Sequence, residues 1–123
     1  MGRGAKVTAE DIRHAESRGE ILRLERLLRK RFGPFYDSVI RALAQHDPVD
    51  LMSAGAAVNE YEPEAKTILL RLPEANSERA LRHIIHEEFS YWFGAEHVGA
   101  ESKYERVAEE IWSRWRQLGE RRP

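Results

Sequence analysis

The residues best able to do chemistry stand close together at His83, His86, Glu87 and Glu88, in the run Arg-His-Ile-Ile-His-Glu-Glu. Two imidazoles and two carboxylates could hold a metal ion or move protons, which would make the chain a metal-dependent or acid-base enzyme around His83, His86 and Glu88. The order His-x-x-His-Glu is neither the His-Glu-x-x-His of zinc proteases nor its inverse, and a zinc site would need a third ligand from elsewhere. On a helix turning 100° per residue, Glu87 falls about 40° from His83, whereas Leu81, Ile85 and Trp92 gather about 160° to 200° away. His83 and Glu87 are therefore expected to face solvent, and neither a metal nor a cofactor is assigned. Glu88 differs, because at about 140° it lies within the apolar stripe. A carboxylate there must be paired or have its ionisation disfavoured. Glu88 is thus expected to be a buried carboxylate held by an arginine, or by a tyrosine or tryptophan donor, with acid-base use as the sharper alternative.

A second group of chemically capable residues lies in the proline-punctuated segment DPVDLMSAGAAVNEYEP and the residue that follows it. Asp47, Asp50, Glu60, Glu62 and Glu64 offer hard oxygen ligands, but their spacing is not that of a calcium-binding loop. Two readings stay open. In one, Asp47 accepts amide hydrogens in its turn, Glu62 and Glu64 serve a helix start, and Tyr61 plugs the loop onto the core. In the other, Asp47, Asp50, Glu60, Tyr61, Glu62 and Glu64 form a surface that attracts a basic protein partner, with Tyr61 as its aromatic anchor.

The third group is basic. Arg23, Arg26, Arg29 and Lys30 fall on an arc of about 120° opposite an apolar face, a pattern that could neutralise phosphates or another anion. A sequence pI near 6.5 and the absence of a recognition-helix motif argue against a dedicated nucleic-acid binder. A solvated helix face, or an internal dock for the acidic segment, is the competing account.

Apolar residues recurring at three and four positions define the elements that would carry these groups. Thr8 with Asp11 and Ser17 with Glu20 offer helix-start chemistry, although residues 1–16 are read as a flexible arm. Ile21, Leu24, Leu28 and Phe32 share a face until Gly33-Pro34 ends that helix and Pro34 opens the next. Phe35, Tyr36, Val39, Ile40 and Leu43 form its stripe, closed by Asp47-Pro48. After an irregular acidic loop over 47–62, Pro63 suits a third helix start, with Thr67 to Leu72 also readable as a strand. Ser77 caps a helix stopped at Gly94, and Tyr104, Val107, Ala108, Ile111, Trp112, Trp115 and Leu118 mark a last one. Trp92, Trp112 and Trp115 are expected to weld the last two helices together.

The fold class expected is all-α, a compact single-domain bundle of about five helices spanning 1–123. The 123 residues are 41% hydrophobic, enough for one core, and contain no cysteine, which fits a reducing compartment and removes disulfides and thiolate ligands. No apolar run reaches membrane-spanning length, and the amino terminus lacks a secretory h-region, so a cytoplasmic protein with no membrane partner is expected. Net charge is only −1, but it is unevenly placed. Residues 1–41 carry ten Lys and Arg against six Asp and Glu, and residues 42–77 carry two against six. The two parts are expected to meet inside the folded protein.

The stretch from HDPVDL through VNEYEPEAKTILLRL to RHIIHEEFSYWFG, residues 46–94, resembles a group of small helical bacterial proteins of unassigned function. They share an Asp-Pro turn, an (Asp/Asn)-Glu-Tyr-(Asp/Glu)-Pro-Glu signature and a downstream helix ending in Glu-Phe and Trp-Phe. The chain departs from the pattern at Asp50, where the group has a glycine. The resemblance implies a helical fold and a specific role for Asp47, Glu60, Tyr61 and Glu64.

These observations lead to the expectation of a non-enzymatic binding protein, an immunity-type or regulatory adaptor, that engages a protein partner through the acidic loop. A nucleic-acid-associated factor using the basic helix is the first alternative, and an enzyme at His83, His86 and Glu88 the second. The partner's identity and the oligomeric state are not encoded in any motif.

Overall fold

The computed structural model describes residues 6–121 as an all-α fold of seven helices, joined by short turns except for the acidic segment over 47–61. They are α1 (Ala9–His14), α2 (Arg18–Phe32), α3 (Pro34–His46), α4 (Glu62–Arg71), α5 (Glu78–Phe93), α6 (Ala95–Val98) and α7 (Glu105–Arg121), with 3-10 turns before α4, after it and before α7. Five of the seven are long, matching the number expected. No strand is present among the described residues, so the stretch from Thr67 to Leu72 is helical over α4 and its following turn.

Local chemistry sets most boundaries where the sequence placed them. Ser17 and Ser77 accept from the backbone N–H groups of Glu20 and Ala80, satisfying amides that a helix start leaves without partners. Thr8 and Asp11 form a reciprocal capping box at α1. Between α2 and α3, Gly33 takes φ +59°, a conformation that a side chain would oppose, and Pro34 begins α3 directly. Asp47 closes α3 in the left-handed region, and Asp50 also has a positive φ of 62°. Aspartate is among the few residues other than glycine that tolerate this conformation.

One apolar cluster runs through the protein. Helix α4 packs against α1, α3 and α5, while α7 packs against α3 and α5. Leu24, Leu28 and Phe32 of α2, Tyr36, Val39 and Leu43 of α3, Ile68 and Leu69 of α4, Ile85 and Phe89 of α5 and Ile111 of α7 are all buried. No helix among the described residues is long and apolar enough to cross a membrane.

Two expectations about packing are corrected. Residues 9–14 are not part of an arm: α1 sits on α4 and buries Ile12, because its capping box and the partners of Arg13 hold it there. The remainder of the expected arm includes residues 1–5, which lie outside the described residues. Two of the three tryptophans expected to weld α5 to α7 are engaged by other helices: Trp92 donates from Nε1 to Thr67 Oγ1 of α4 at 3.1 Å, and Trp115 lies against Phe35 of α3. Phe89 of α5 instead packs on Tyr104 in the turn that leads into α7. All three tryptophans are only partly buried, as expected for a large ring with one polar end.

Candidate functional site

The acidic segment folds around a lock between Asp47 and Tyr61. The Asp47 carboxylate accepts from Met52 N–H at 2.8 Å, from Ser53 N–H at 3.0 Å and from the Tyr61 hydroxyl at 2.7 Å. The same hydroxyl accepts from Val49 N–H at 3.3 Å and, at the limit of bonding, from Leu51 N–H at 3.5 Å. Burial disfavours ionisation of Asp47, but hydrogen bonds from Met52, Tyr61 and Ser53 outweigh it and hold the carboxyl below its ordinary range. Burial, reinforced by the bond to Asp47, pushes the Tyr61 phenol up, so it stays a donor.

This arrangement corrects the partner-binding assignment for several of its members. Tyr61 is 0% exposed, against Phe89, and cannot anchor a partner. Asp47 is committed to the lock. Glu64 is buried on α4. Glu62 accepts from Tyr36 Oη at 2.5 Å and lies 4.0 Å from the Arg29 guanidinium. Asp50 and Glu60 alone of the six are exposed. The internal reading of the segment, with Asp47 as a turn acceptor and Tyr61 as a plug, describes its geometry.

On α5, His83 pairs with Glu87 and Glu101, each at 3.1 Å. His86 Nε2 instead lies 2.9 Å from the carbonyl of Gly99, and its ring meets the edge of Tyr104. The two imidazoles thus have separate structural partners. No group of three His, Asp or Glu side chains is arranged to hold a metal among the described residues. The hydrogen bond to Glu101 and the charge of Glu87 raise the His83 pKa above its ordinary value.

Glu88 is 1% exposed and bonded to two arginines, Arg13 of α1 at 2.6 Å and Arg71 of α4 at 2.8 Å. Burial opposes its charge, but the Arg13 and Arg71 hydrogen bonds prevail and hold the carboxyl below the usual range. It is an ionised structural tie among three helices, the arginine-held form of the two outcomes the sequence allowed. Arg13 stands in a stretch whose composition suggests an arm; the Thr8/Asp11 capping box is the local signal that a helix begins there.

The basic group divides. Arg29 stays exposed but is engaged by acids, bonded to Glu25 at 2.9 Å and Asp37 at 3.1 Å, stacked over Tyr36 and 4.0 Å from Glu62. The positive and acidic parts of the chain do meet there, through one residue. Arg23, Arg26 and Lys30 are exposed and form no ion pair with a described residue, and Arg31, similarly free of carboxylates, lies over Phe32. With them on the outer side of α2 are Leu22 and Leu27, the latter 42% exposed. Lys6, Val7, Leu27, Leu28 and Arg31 line a recess of about 300 Å³ beside this face. No known family, curated protein or solved structure shows significant similarity to the chain.

Proposed function

We propose that the chain is a non-enzymatic binding protein whose contact surface is the outer face of α2 and whose partner is a protein bearing an acidic, apolar-studded surface. One observation carries this reading: Arg23, Arg26, Lys30 and Arg31 stand exposed on one helix and form no ion pair with a described residue, while Arg13, Arg29, Arg71 and Arg82 are all engaged by carboxylates. Acids and bases are nearly equal in number, 21 against 20, so the free cations reflect placement and not excess. Leu22 and Leu27 add apolar contact among them, and the adjoining recess offers a place for an inserted side chain. Leucine between cations favours a protein over a nucleic acid, since a phosphate backbone would desolvate those leucines without packing on them. Arginine-rich faces of this kind gain orientation and association rate from complementary charge.

The locked loop supports a second contact, since Asp47 and Tyr61 hold Asp50 and Glu60 in place at the surface without ordering cost at the moment of binding. Affinity capture from nuclease-treated native lysate, followed by reconstitution with the purified captured protein, tests both surfaces. The reading predicts a protein retained by the wild type, lost by Arg23→Ala/Arg26→Ala/Lys30→Ala and weakened by salt. Loss with Asp50→Ala/Glu60→Ala instead would move the contact to the loop. Retention by both variants would overturn the proposal.

A further inference from the structure

We propose that helix α7 is a docking surface for a second copy of this chain, through an antiparallel contact between two α7 helices centred on Trp112. The first half of α7 is spent on the core, where Val107, Ala108 and Ile111 are buried. From Trp112 to Gly119 no residue reaches full burial, although Trp112, Trp115 and Leu118 all lie in this stretch. Trp115 lies against Phe35, whereas Trp112 has no hydrogen bond or ring contact with a described residue. The contact uses no residue of the α2 face and is independent of the function proposed there.

Beside the buried stripe, Glu105, Glu109, Trp112, Arg116 and Gly119 follow one another at alternating spacings of four and three residues, the spacing of a seam between helices. At 100° per residue they fall within an arc of about 80°, centred roughly 110° round the helix from Val107, Ala108 and Ile111. All five are exposed or partly exposed. Trp112, Trp115, Arg116, Leu118 and Gly119 border a recess of about 250 Å³. Gly119 has open space where a side chain would stand, so nothing of its own fills that end of the seam.

The order of charges along the seam selects the occupant. Glu105 and Glu109 precede Trp112 and Arg116 follows it, so a second α7 laid antiparallel sets Arg116 of each copy beside Glu109 and Trp112 of the other. A carboxylate and an indole face both suit a guanidinium. Arg116 already has an interaction within its own chain, but its five N–H donors can serve a second carboxylate, as Arg13 and Arg71 do. Each contact is made twice about a two-fold axis, the self-complementarity that a closed dimer requires. A parallel arrangement would set Glu109 on Glu109 and Arg116 on Arg116. The recess is larger than the cavity of about 150 Å³ that admits benzene, so it has room for the Trp112 ring of the other copy. With its 17 residues, α7 is about 25 Å long. One such seam lies at the small end of specific interfaces, and a dimer dissociating at about 10 to 100 μM is expected.

Sedimentation equilibrium of the full chain from about 5 μM to about 1 mM spans the expected association, with NMR following the indole N–H groups over the same range. The wild type should form dimers, and dilution should shift the Trp112 indole N–H more than that of Trp92. Arg116→Glu and Glu109→Arg each turn an attractive contact into a repulsive one at two symmetry-related places, so each alone should weaken dimerisation by about tenfold or more. Both positions are exposed, so the circular dichroism and Tm of each variant should match the wild type. Mixed in equal amounts, the two variants should associate again, because the two reversed charges then face each other and so do the two native ones. A chain that stays monomeric at about 1 mM, dimers unaffected by either variant, a mixture that associates no better than its components, or a dilution shift that leaves Trp112 in place would each overturn the proposal.

Discussion

Replacing Glu64 with glutamine isolates what burial does to an acid on α4. The side chain is 4% exposed, and its Oε1 has no hydrogen-bond partner among the described residues. Burial pushes its pKa up from the ordinary 4.5 to about 7; its own backbone N–H opposes the change, and the nearby Glu60 charge adds to it. The folded state therefore keeps a proton that the unfolded chain releases. Below about pH 4.5 both states are protonated and the group has no effect on stability. Between about 4.5 and 7 only the unfolded state ionises, and stability falls as pH rises. Above about 7 both are ionised and the loss is complete, at about 3 kcal/mol. Glutamine has no such proton, so Glu64→Gln should match the wild type near pH 4.5 and exceed it by about 3 kcal/mol at pH 8, or about 10 °C in Tm. Urea unfolding of both proteins at pH 4.5, 6, 7 and 8 measures the difference directly. Glu88 does not interfere, since its lowered pKa places its contribution above about 4.5, to be lost only below that, and it is common to both proteins. A stability difference independent of pH, or a glutamine variant weaker than the wild type at pH 8, would refute the reasoning.

Three further outcomes follow from named contacts. Tyr61→Phe removes the donor to Asp47 and the acceptor for Val49 and Leu51; it should cost about 1–3 kcal/mol in urea unfolding and speed hydrogen exchange at the Leu51, Met52 and Ser53 amides more than elsewhere. Asp47→Ala strips three donors of their acceptor and puts alanine at φ +50°, so a cost of about 2–4 kcal/mol is expected, and a cost under about 0.5 kcal/mol would show that the loop is held by packing alone. Glu88→Ala leaves Arg13 and Arg71 without their shared buried partner; a loss of about 3–5 kcal/mol is expected, with limited proteolysis newly cutting near α1, and an intact α1 in that variant would contradict the tie.

Much of the fold was legible because its signals are local. Ser17, Ser77 and Gly33-Pro34 act within a few residues of themselves, and each sets the boundary its chemistry implies. Glu88 was legible too, since one charged residue on an apolar stripe demands a partner whatever the fold. Its partner was not. Arg13 lies 75 positions away, on a helix of six residues, and a helix that short is too weak on its own to announce itself in sequence. The acidic segment misled for the opposite reason. Charged composition marked it as surface, but the backbone amides of a left-handed turn are strong competitors for a carboxylate, and they claim Asp47 before any partner can.

Helix α4 explains why the remaining candidates stayed hidden. A helical wheel assumes one buried face, yet α4 is covered by α1, α3 and α5, and every residue from Glu64 to Leu69 is buried. Its polar residues, which a wheel sends to solvent, are therefore forced into contact with the interior. Thr67 finds Trp92 and the carbonyl of Glu64. Glu64 resolves the conflict only below about pH 7, by keeping its proton. Lys66 buries its stem beside Ile12, Leu24 and Trp92 and brings its ammonium to solvent. On the surface of α2, Arg29 pairs with Glu25 and Asp37, whereas Arg23, Arg26 and Lys30 form no ion pair with a described residue and share a face with exposed leucines. Those exposed cations are the charges that the proposed acidic partner would answer.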